Sequence, residues 1–293
     1  MKLRVKAALA ATAVAALVLS ACGSNSLSGG DASPAPTTSV SANAELNAKL
    51  PEKIRNAGKI VIGTDASYAP NQFTQGGKIV GSEVDLFNQV AKKLGVTAEW
   101  QEAKFASIIP GVTSGKYDMG VSSFTINDER LKQVIMTSYF SAGTQWAAPK
   151  GNPGGVDPNN PCGKTIAVQN NTVQQQDDLP TRQKKCGSNP IKILPYDGQD
   201  QATAAVVTGK ADAMLADSPV TAYAVKQSGG KLEPLGDVYD SAPYGVVLPK
   251  DQRQFAEAVA EALKEMKADG SYEEVLKAWG TEGGAVDTFE VKP

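Results

Sequence analysis

The sequence predicts an α/β protein built from two similar units, each a parallel or mixed sheet flanked by helices, with a cleft between them. Three observations carry that expectation. Short apolar runs alternate with stretches of helical spacing, the pattern of successive β-α-β units. A cluster of backbone breakers, Pro149-Lys150-Gly151-Asn152-Pro153-Gly154-Gly155, interrupts the alternation, which then starts again. Four predicted strands, ending near Gly63, Val121, Val168 and Ala216, are each followed at once by polar residues. Open α/β sheets bind ligands just beyond the carboxyl ends of their strands, so these polar groups are expected to converge. The chain has 293 residues, 41% hydrophobic, enough for two such units.

In the first unit, residues 59–63 form a short apolar strand that ends at glycine. Residues 72–74 and 78–80 flank Gln75-Gly76-Gly77 as a hairpin. Val84, Phe87, Val90, Ala91 and Leu94 recur at helical spacing, and Gly95 stops that helix. A strand over 98–101, a short helix over 107–112 and a strand over 119–121 follow. The second unit opens with a strand over 165–169 and a helix from about Thr172. It continues with a strand at 191–194, a helix at 200–207 and a strand at 213–216. Asp217-Ser218-Pro219 then opens a helix, with serine and proline placed as helix starters. After a strand over 244–248, the last long helix carries Phe255, Val259, Leu263 and Met266 on one stripe. A short final helix holds Tyr272, Leu276 and Trp279.

Composition excludes several functions. Formal net charge is −2 with both signs mixed, so there is no basic footprint for nucleic acid. The chain has no histidine, which removes the usual general base, the usual triad partner and the commonest metal ligand. No cofactor is expected.

The N-terminus reads as a targeting segment. Lys2, Arg4 and Lys6 precede an apolar run over 7–19, and small residues stand before Cys22. Leu19-Ser20-Ala21-Cys22 resembles the bacterial lipobox, which implies removal of 1–21 and acylation of Cys22. Residues 22–50 are read as a tether poor in large apolar residues, leaving the folded part anchored to the membrane by lipid. In an oxidising compartment outside the cell, Cys162 and Cys186 are the pair left for a disulfide, preferred over a two-cysteine metal site without histidine.

Several segments carry a family resemblance. They are Gly63-Thr64-Asp65-Ala66-Ser67-Tyr68-Ala69-Pro70, Gly81-Ser82-Glu83-Val84-Asp85-Leu86 and Phe105-Ala106-Ser107-Ile108-Ile109-Pro110-Gly111. With them go Ser114-Gly115-Lys116-Tyr117-Asp118, Ser122-Ser123-Phe124-Thr125-Ile126-Asn127-Asp128-Glu129-Arg130, and Asp269-Gly270-Ser271-Tyr272 with Trp279-Gly280. In this order, behind a lipobox, they resemble the polar amino acid binding proteins of ABC importers. The resemblance covers 59–280. It implies a two-lobed periplasmic-binding-protein-like fold that closes on its ligand about a two-crossing hinge near 143–148 and 241–244. Lobe 1 would hold 51–145 and 243–293, and lobe 2 would hold 146–242. The implied partners are a small amino acid and a membrane permease, with the protein itself a monomer.

By the same resemblance, Arg130 grips the ligand's α-carboxylate, a role suited to the two parallel bonds of a guanidinium fork. The alternative is a solvated helix residue beside Asp128 and Glu129. Asp217 receives the α-ammonium; its alternative is a helix N-cap. Ser122, Ser123 and Thr125 complete those bonds, the alternative being turn and capping roles. Gln169, Asn171 and Thr172 supply the second unit's side, Thr172 at a helix N-terminus that favours an anion. Tyr68 and Phe105 sandwich the ligand side chain, and Asp65 faces it. The sequence departs from the family at Asn171-Thr172-Val173, where Gly-Thr-Thr is usual, and at Asn71 and Ser82, where apolar residues are usual. If Asn71 and Ser82 lie near the pocket, its distal end is more polar than usual and suits a hydrophilic side chain. Two alternatives stand: an exported dehydratase-like enzyme with Glu83 as general acid, and a ligand sensor.

Overall fold

The structure is a computed structural model that describes residues 40–293. The expected signal segment and Cys22 lie outside the described residues. The folded body begins earlier than the composition implied. Ala44–Ala48 (α1) is capped by the Asn43 side chain, which accepts from the amides of Glu45 and Leu46. Leu46 and Leu50 are buried in the main core. This corrects the tether of 22–50: two leucines one helical turn apart are enough to dock its last residues.

Glu52–Ala57 (α2) leads into Lys59–Thr64 (β1). Ser67–Tyr68 (β2), Gln72–Gln75 (β3) and Lys78–Val80 (β4) make a small separate sheet. Ser82–Lys93 (α3), Thr97–Glu102 (β5), Phe105–Thr113 (α4), Met119–Gly120 (β6) and Asp128–Leu131 (α5) complete the first run. A long strand, Val134–Pro149 (β7), crosses to the second. There Thr165–Gln169 (β8) precedes a π-helical turn, Gln174–Asp178, that runs into Leu179–Gln183 (α6). Lys192–Tyr196 (β9), Gln199–Val207 (α7), Ala213–Asp217 (β10) and Ser218–Gln227 (α8) follow. A second long strand, Leu232–Pro249 (β11), returns to the first half. Arg253–Asp269 (α9), Ser271–Trp279 (α10) and Val291–Lys292 (β12) close the fold.

The main sheet runs β5-β1-β6-β11-β7-β10-β8-β9, with β12 on β7. Parallel strands lie at both ends: β5, β1 and β6 at one, β10, β8 and β9 at the other. Among the described residues only β7 and β11, antiparallel to each other, run through both halves. They are the two crossings of a two-lobed fold. Their pairing slips between Leu235 and Tyr239, between Tyr239 and Ala242, and between Tyr244 and Gly245. Gly143 lies in this stretch, and a Cβ there would meet the Tyr239 carbonyl oxygen at 2.5 Å. The close approach of the two strands therefore needs glycine.

The halves have separate cores. One gathers Ile60, Ile62, Phe87, Val90, Tyr139, Leu248, Val259 and Leu263. The other centres on Trp146, Ile166, Val168, Leu179 and Leu215, and is tied by the Cys162–Cys186 disulfide. Periodicity did not reveal β7, nor the full length of β11. In β7 nearly every residue is buried, so no in-out alternation marks it as a strand.

Leu46→Ala should lower unfolding free energy by about 2–4 kcal/mol in urea denaturation, because it opens a cavity in the main core. An unchanged midpoint would place α1 outside the cooperative fold.

Candidate functional site

The carboxyl ends of β1, β6, β8 and β10 meet across one cleft. It is lined by Asp65, Tyr68, Phe105, Ser122, Ser123, Thr125, Arg130, Gln169, Thr172, Val173, Gln174 and Asp217, around about 270 Å³ of space partly continuous with solvent. Ten of these stand among the residues expected from sequence.

Arg130 sits in the one-turn helix α5, whose N-cap Asn127 accepts the Arg130 amide at 2.9 Å. Its side chain leaves the helix for the cleft. Nη1 donates to the Thr125 carbonyl at 2.6 Å and Nη2 to the Asn171 carbonyl at 3.2 Å. The guanidinium lies over the rings of Phe105 and Phe124, at 5.5 and 5.2 Å, and these rings stack on each other at 4.6 Å. Arg130 is buried, and among the described residues no carboxylate forms an ion pair with it. Burial pulls its pKa down to about 10.

Asp217 ends β10 on the opposite side. It stands at the N-cap position of α8, yet its side chain caps nothing there. Oδ1 accepts from Gln174 Nε2 at 2.7 Å and Oδ2 from the Tyr244 hydroxyl at 2.7 Å. Its amide donates to the Tyr68 hydroxyl at 3.2 Å. Burial raises its pKa, and these hydrogen bonds together with the Arg130 charge oppose the rise. Gln174 also donates to Thr144 of β7, so one amide ties this carboxylate to a crossing strand.

Asp65 follows β1, is buried and forms no ion pair among the described residues. Oδ1 accepts from the amide and hydroxyl of Ser67, and Oδ2 from the Phe105 amide and Gln169 Nε2. Burial raises its pKa, with the Ser67 and Phe105 bonds opposing. Gln169 also donates to the Asp197 carbonyl, and Thr172 donates to the Gln169 carbonyl.

Asn171 differs from expectation. Its side chain is exposed and bonds Gln176 rather than lining the cleft; its contribution is the carbonyl that meets Arg130. Its φ of 62° is left-handed, which asparagine tolerates where the usual glycine is absent. Asn71 and Ser82 also stand away from the cleft lining. Both are buried behind it, Asn71 bonded to Ser123 and Ser82 to Asn71. They do not polarise the distal pocket, and that argument for a hydrophilic ligand passes to Asp65.

Sequence reasoning missed Val173, Gln174 and Tyr244. Gln174 stands in a run of three glutamines within a π-helical turn, which has neither helical nor strand period. Tyr244 read as the start of a core strand, which it also is.

Glu83, at the start of α3, is fully buried behind the cleft. It accepts from the Ser123 amide at 3.1 Å and the Ser123 hydroxyl at 2.8 Å. The Tyr139 hydroxyl faces it too, short of good hydrogen-bond geometry. Burial pushes Glu83 up to about 7, against the pull of these hydroxyls and the Ser123 amide.

Comparisons with known proteins place the chain among solute-binding proteins. The family model for bacterial extracellular solute-binding proteins, family 3, matches residues 60–282. The arginine-binding protein ArgT of Corynebacterium glutamicum is 37% identical over 247 residues, covering 83% of this chain and 81% of the relative. A solved ancestral arginine-binding protein bound to arginine superposes with a TM-score of 0.71 at 33% identity, covering 76% of this chain and 98% of that one. The ancestral amino acid-binding protein AncCDT-1, a precursor of cyclohexadienyl dehydratase, gives a TM-score of 0.71 at 31% identity, covering 78% and 98%.

A raised carboxyl pKa means that the native state holds a proton the unfolded chain has released. Stability from Glu83 is therefore present below 4.5 and lost as pH rises through about 7. The slope of unfolding free energy across that window should flatten in Glu83→Gln. An unchanged slope would assign it to other groups.

Proposed function

The chain belongs to the bacterial extracellular solute-binding proteins, family 3, and from that footing we propose that it captures a basic amino acid outside the cytoplasm for an ABC importer. The observation that carries the choice of ligand is the charge of the cleft. Its lining holds one guanidinium, Arg130, and two carboxylates, Asp65 and Asp217. None of the three has an ion-pair partner among the described residues. The zwitterionic end of an amino acid satisfies Arg130 and Asp217 together. Asp65 is then left over, and a ligand with a cationic side chain matches it. In this reading the ligand's cationic head takes the place of the Gln169 amide at Asp65. The arginine-binding relatives support the same class.

In the proposed cycle, the ligand meets lobe 1 first, through Arg130, Asp65 and the Ser122–Thr125 segment. Lobe 2 then brings Asp217, Gln169 and Thr172 over it. Lobe 1 is assigned 43–145 and 243–293, and lobe 2 is assigned 146–242. Closure is a hinge motion of β7 and β11, and contacts made only in the closed form drive it. Tyr68 and Phe105 flank the side chain. Acylation at Cys22 would hold the protein at the membrane beside its permease.

A second reading is favoured by one neighbour, the precursor of a dehydratase. Its nominated acid, Glu83, is bonded through both oxygens to Ser123 and does not line the cleft. Binding without turnover is the better account.

Calorimetric titration of refolded, ligand-stripped protein should show tight binding of arginine or lysine and weaker binding of glutamine. Arg130→Ala should weaken binding by more than about a hundredfold, because a buried carboxylate loses its partner. Asp65→Asn should remove most of the preference for the cationic ligand over glutamine. An apolar amino acid binding best, or Arg130→Ala binding within about tenfold of wild type, would overturn the reading.

A further inference from the structure

Among the described residues, four non-glycine residues have left-handed backbone: Ser123, Asn152, Asn171 and Asp240. Three are asparagine or aspartate, which tolerate that region. Ser123 is the exception, with φ 54°. It is also the one that lines the cleft. Such a conformation persists when the surroundings over-determine it, and here the surroundings are a closed set of hydrogen bonds.

The Ser123 amide donates to Glu83 Oε2. The Ser123 hydroxyl has one hydrogen and two lone pairs. Asn71 Nδ2 donates to it at 2.9 Å, and Gln72 Nε2 approaches at 3.4 Å. With its lone pairs facing two amide donors, its hydrogen points to Glu83 Oε1, 2.8 Å away. Both oxygens of Glu83 therefore accept from Ser123. The rest of the set is equally fixed. Gln72 also donates to the Ser122 hydroxyl, which accepts the Asp65 amide. Ser82 donates to Asn71 Oδ1. The Glu83 amide donates to the Asn71 carbonyl, and a Cβ on Gly81 would meet that same oxygen at 2.1 Å. Glu83, Asn71, Gln72, Ser82 and Ser123 are all nearly inaccessible to water.

We propose that Glu83 is a positioning residue for ligand recognition: with Asn71 and Gln72 it clamps Ser123 in the left-handed state and so sets the path of the chain from β6 to Thr125, whose carbonyl holds Arg130. Glu83 never touches the ligand. It acts through the segment that carries the carboxylate-binding end of the cleft. The two departures from the family pattern, Asn71 and Ser82, belong to this clamp. The inference rests on the reading of the cleft as an amino acid site.

A carboxylate swap tests it. Glu83→Gln replaces one of the two oxygens that accept from Ser123 with an amide nitrogen, which cannot accept, and Asn71→Asp moves an acceptor to the other side of the Ser123 hydroxyl. Arginine affinity and Ser123 amide exchange are measured for wild type, both single variants and the double variant. Glu83→Gln should bind arginine at least about tenfold more weakly and exchange its Ser123 amide faster, while the double variant should recover to within about threefold. A Glu83→Gln affinity within about twofold of wild type, or a double variant no better than additive, overturns the proposal. If wild type binds no amino acid, the cleft reading has failed, and amide exchange alone judges the clamp: unchanged exchange in Glu83→Gln overturns it. Should Glu83→Gln not fold, Ser123→Gly and Ser123→Ala replace it. Glycine adopts the left-handed state without a clamp, so Ser123→Gly should bind at least about fivefold better than Ser123→Ala, and equal affinities overturn the proposal.

Discussion

Burying a guanidinium costs several kcal/mol after relaxation, and at Arg130 no carboxylate among the described residues forms a contact ion pair that offsets that cost. Two backbone carbonyls and two stacked aromatic rings hold it in place without neutralising it. Asp217 stands in the mirror condition, a buried carboxylate with neutral donors and no cation paired to it. These opposite charges are carried by different elements, α5 and β10. Arg130 is fixed by the short helix after β6, and Asp217 by the last residue of β10. Among the described residues β7 and β11 are the strands that run through both halves, and side-chain bonds such as Arg130 to the Asn171 carbonyl and Gln169 to Asp65 also join the two sides. A zwitterion is the kind of molecule that relieves both charges at once.

Much of this was legible in the sequence because the cleft obeys a rule of topology. Ligand groups sit where parallel strands end, and Asp65, Ser122, Gln169 and Asp217 all do. Apolar periodicity sufficed to find those strands. The crossing strands were harder to read, since β7 is buried on both faces and has no alternation. Asn71 and Ser82 were read as pocket residues because sequence position gives proximity but not direction. In three dimensions the Asn71 side chain turns to Ser123 and the Ser82 side chain to Asn71, away from the cleft lining. Gln174 was hidden by its π-helical turn, although it donates to the Asp217 carboxylate. The N-terminal boundary was misjudged because composition averages over a segment, whereas docking needed only Leu46 and Leu50.

The polar residues of the cleft form two layers. The outer layer, Asp65, Arg130 and Asp217, lines the cleft. The inner layer of Glu83, Asn71 and Gln72 lies behind that lining and is bonded to Ser122 and Ser123. Such support matters because a recognition site displaced by a fraction of an ångström loses much of its affinity.

The central claim is that Arg130 and Asp217 are completed by the two charges of one α-amino acid. It is tested most directly by titrating the protein with arginine, with its decarboxylated analogue agmatine and with its des-amino analogue. The account predicts that each analogue binds at least about a hundredfold more weakly than arginine, since each leaves one buried charge of the protein unpaired. Agmatine binding as tightly as arginine would contradict it, because Arg130 would then have no carboxylate to hold.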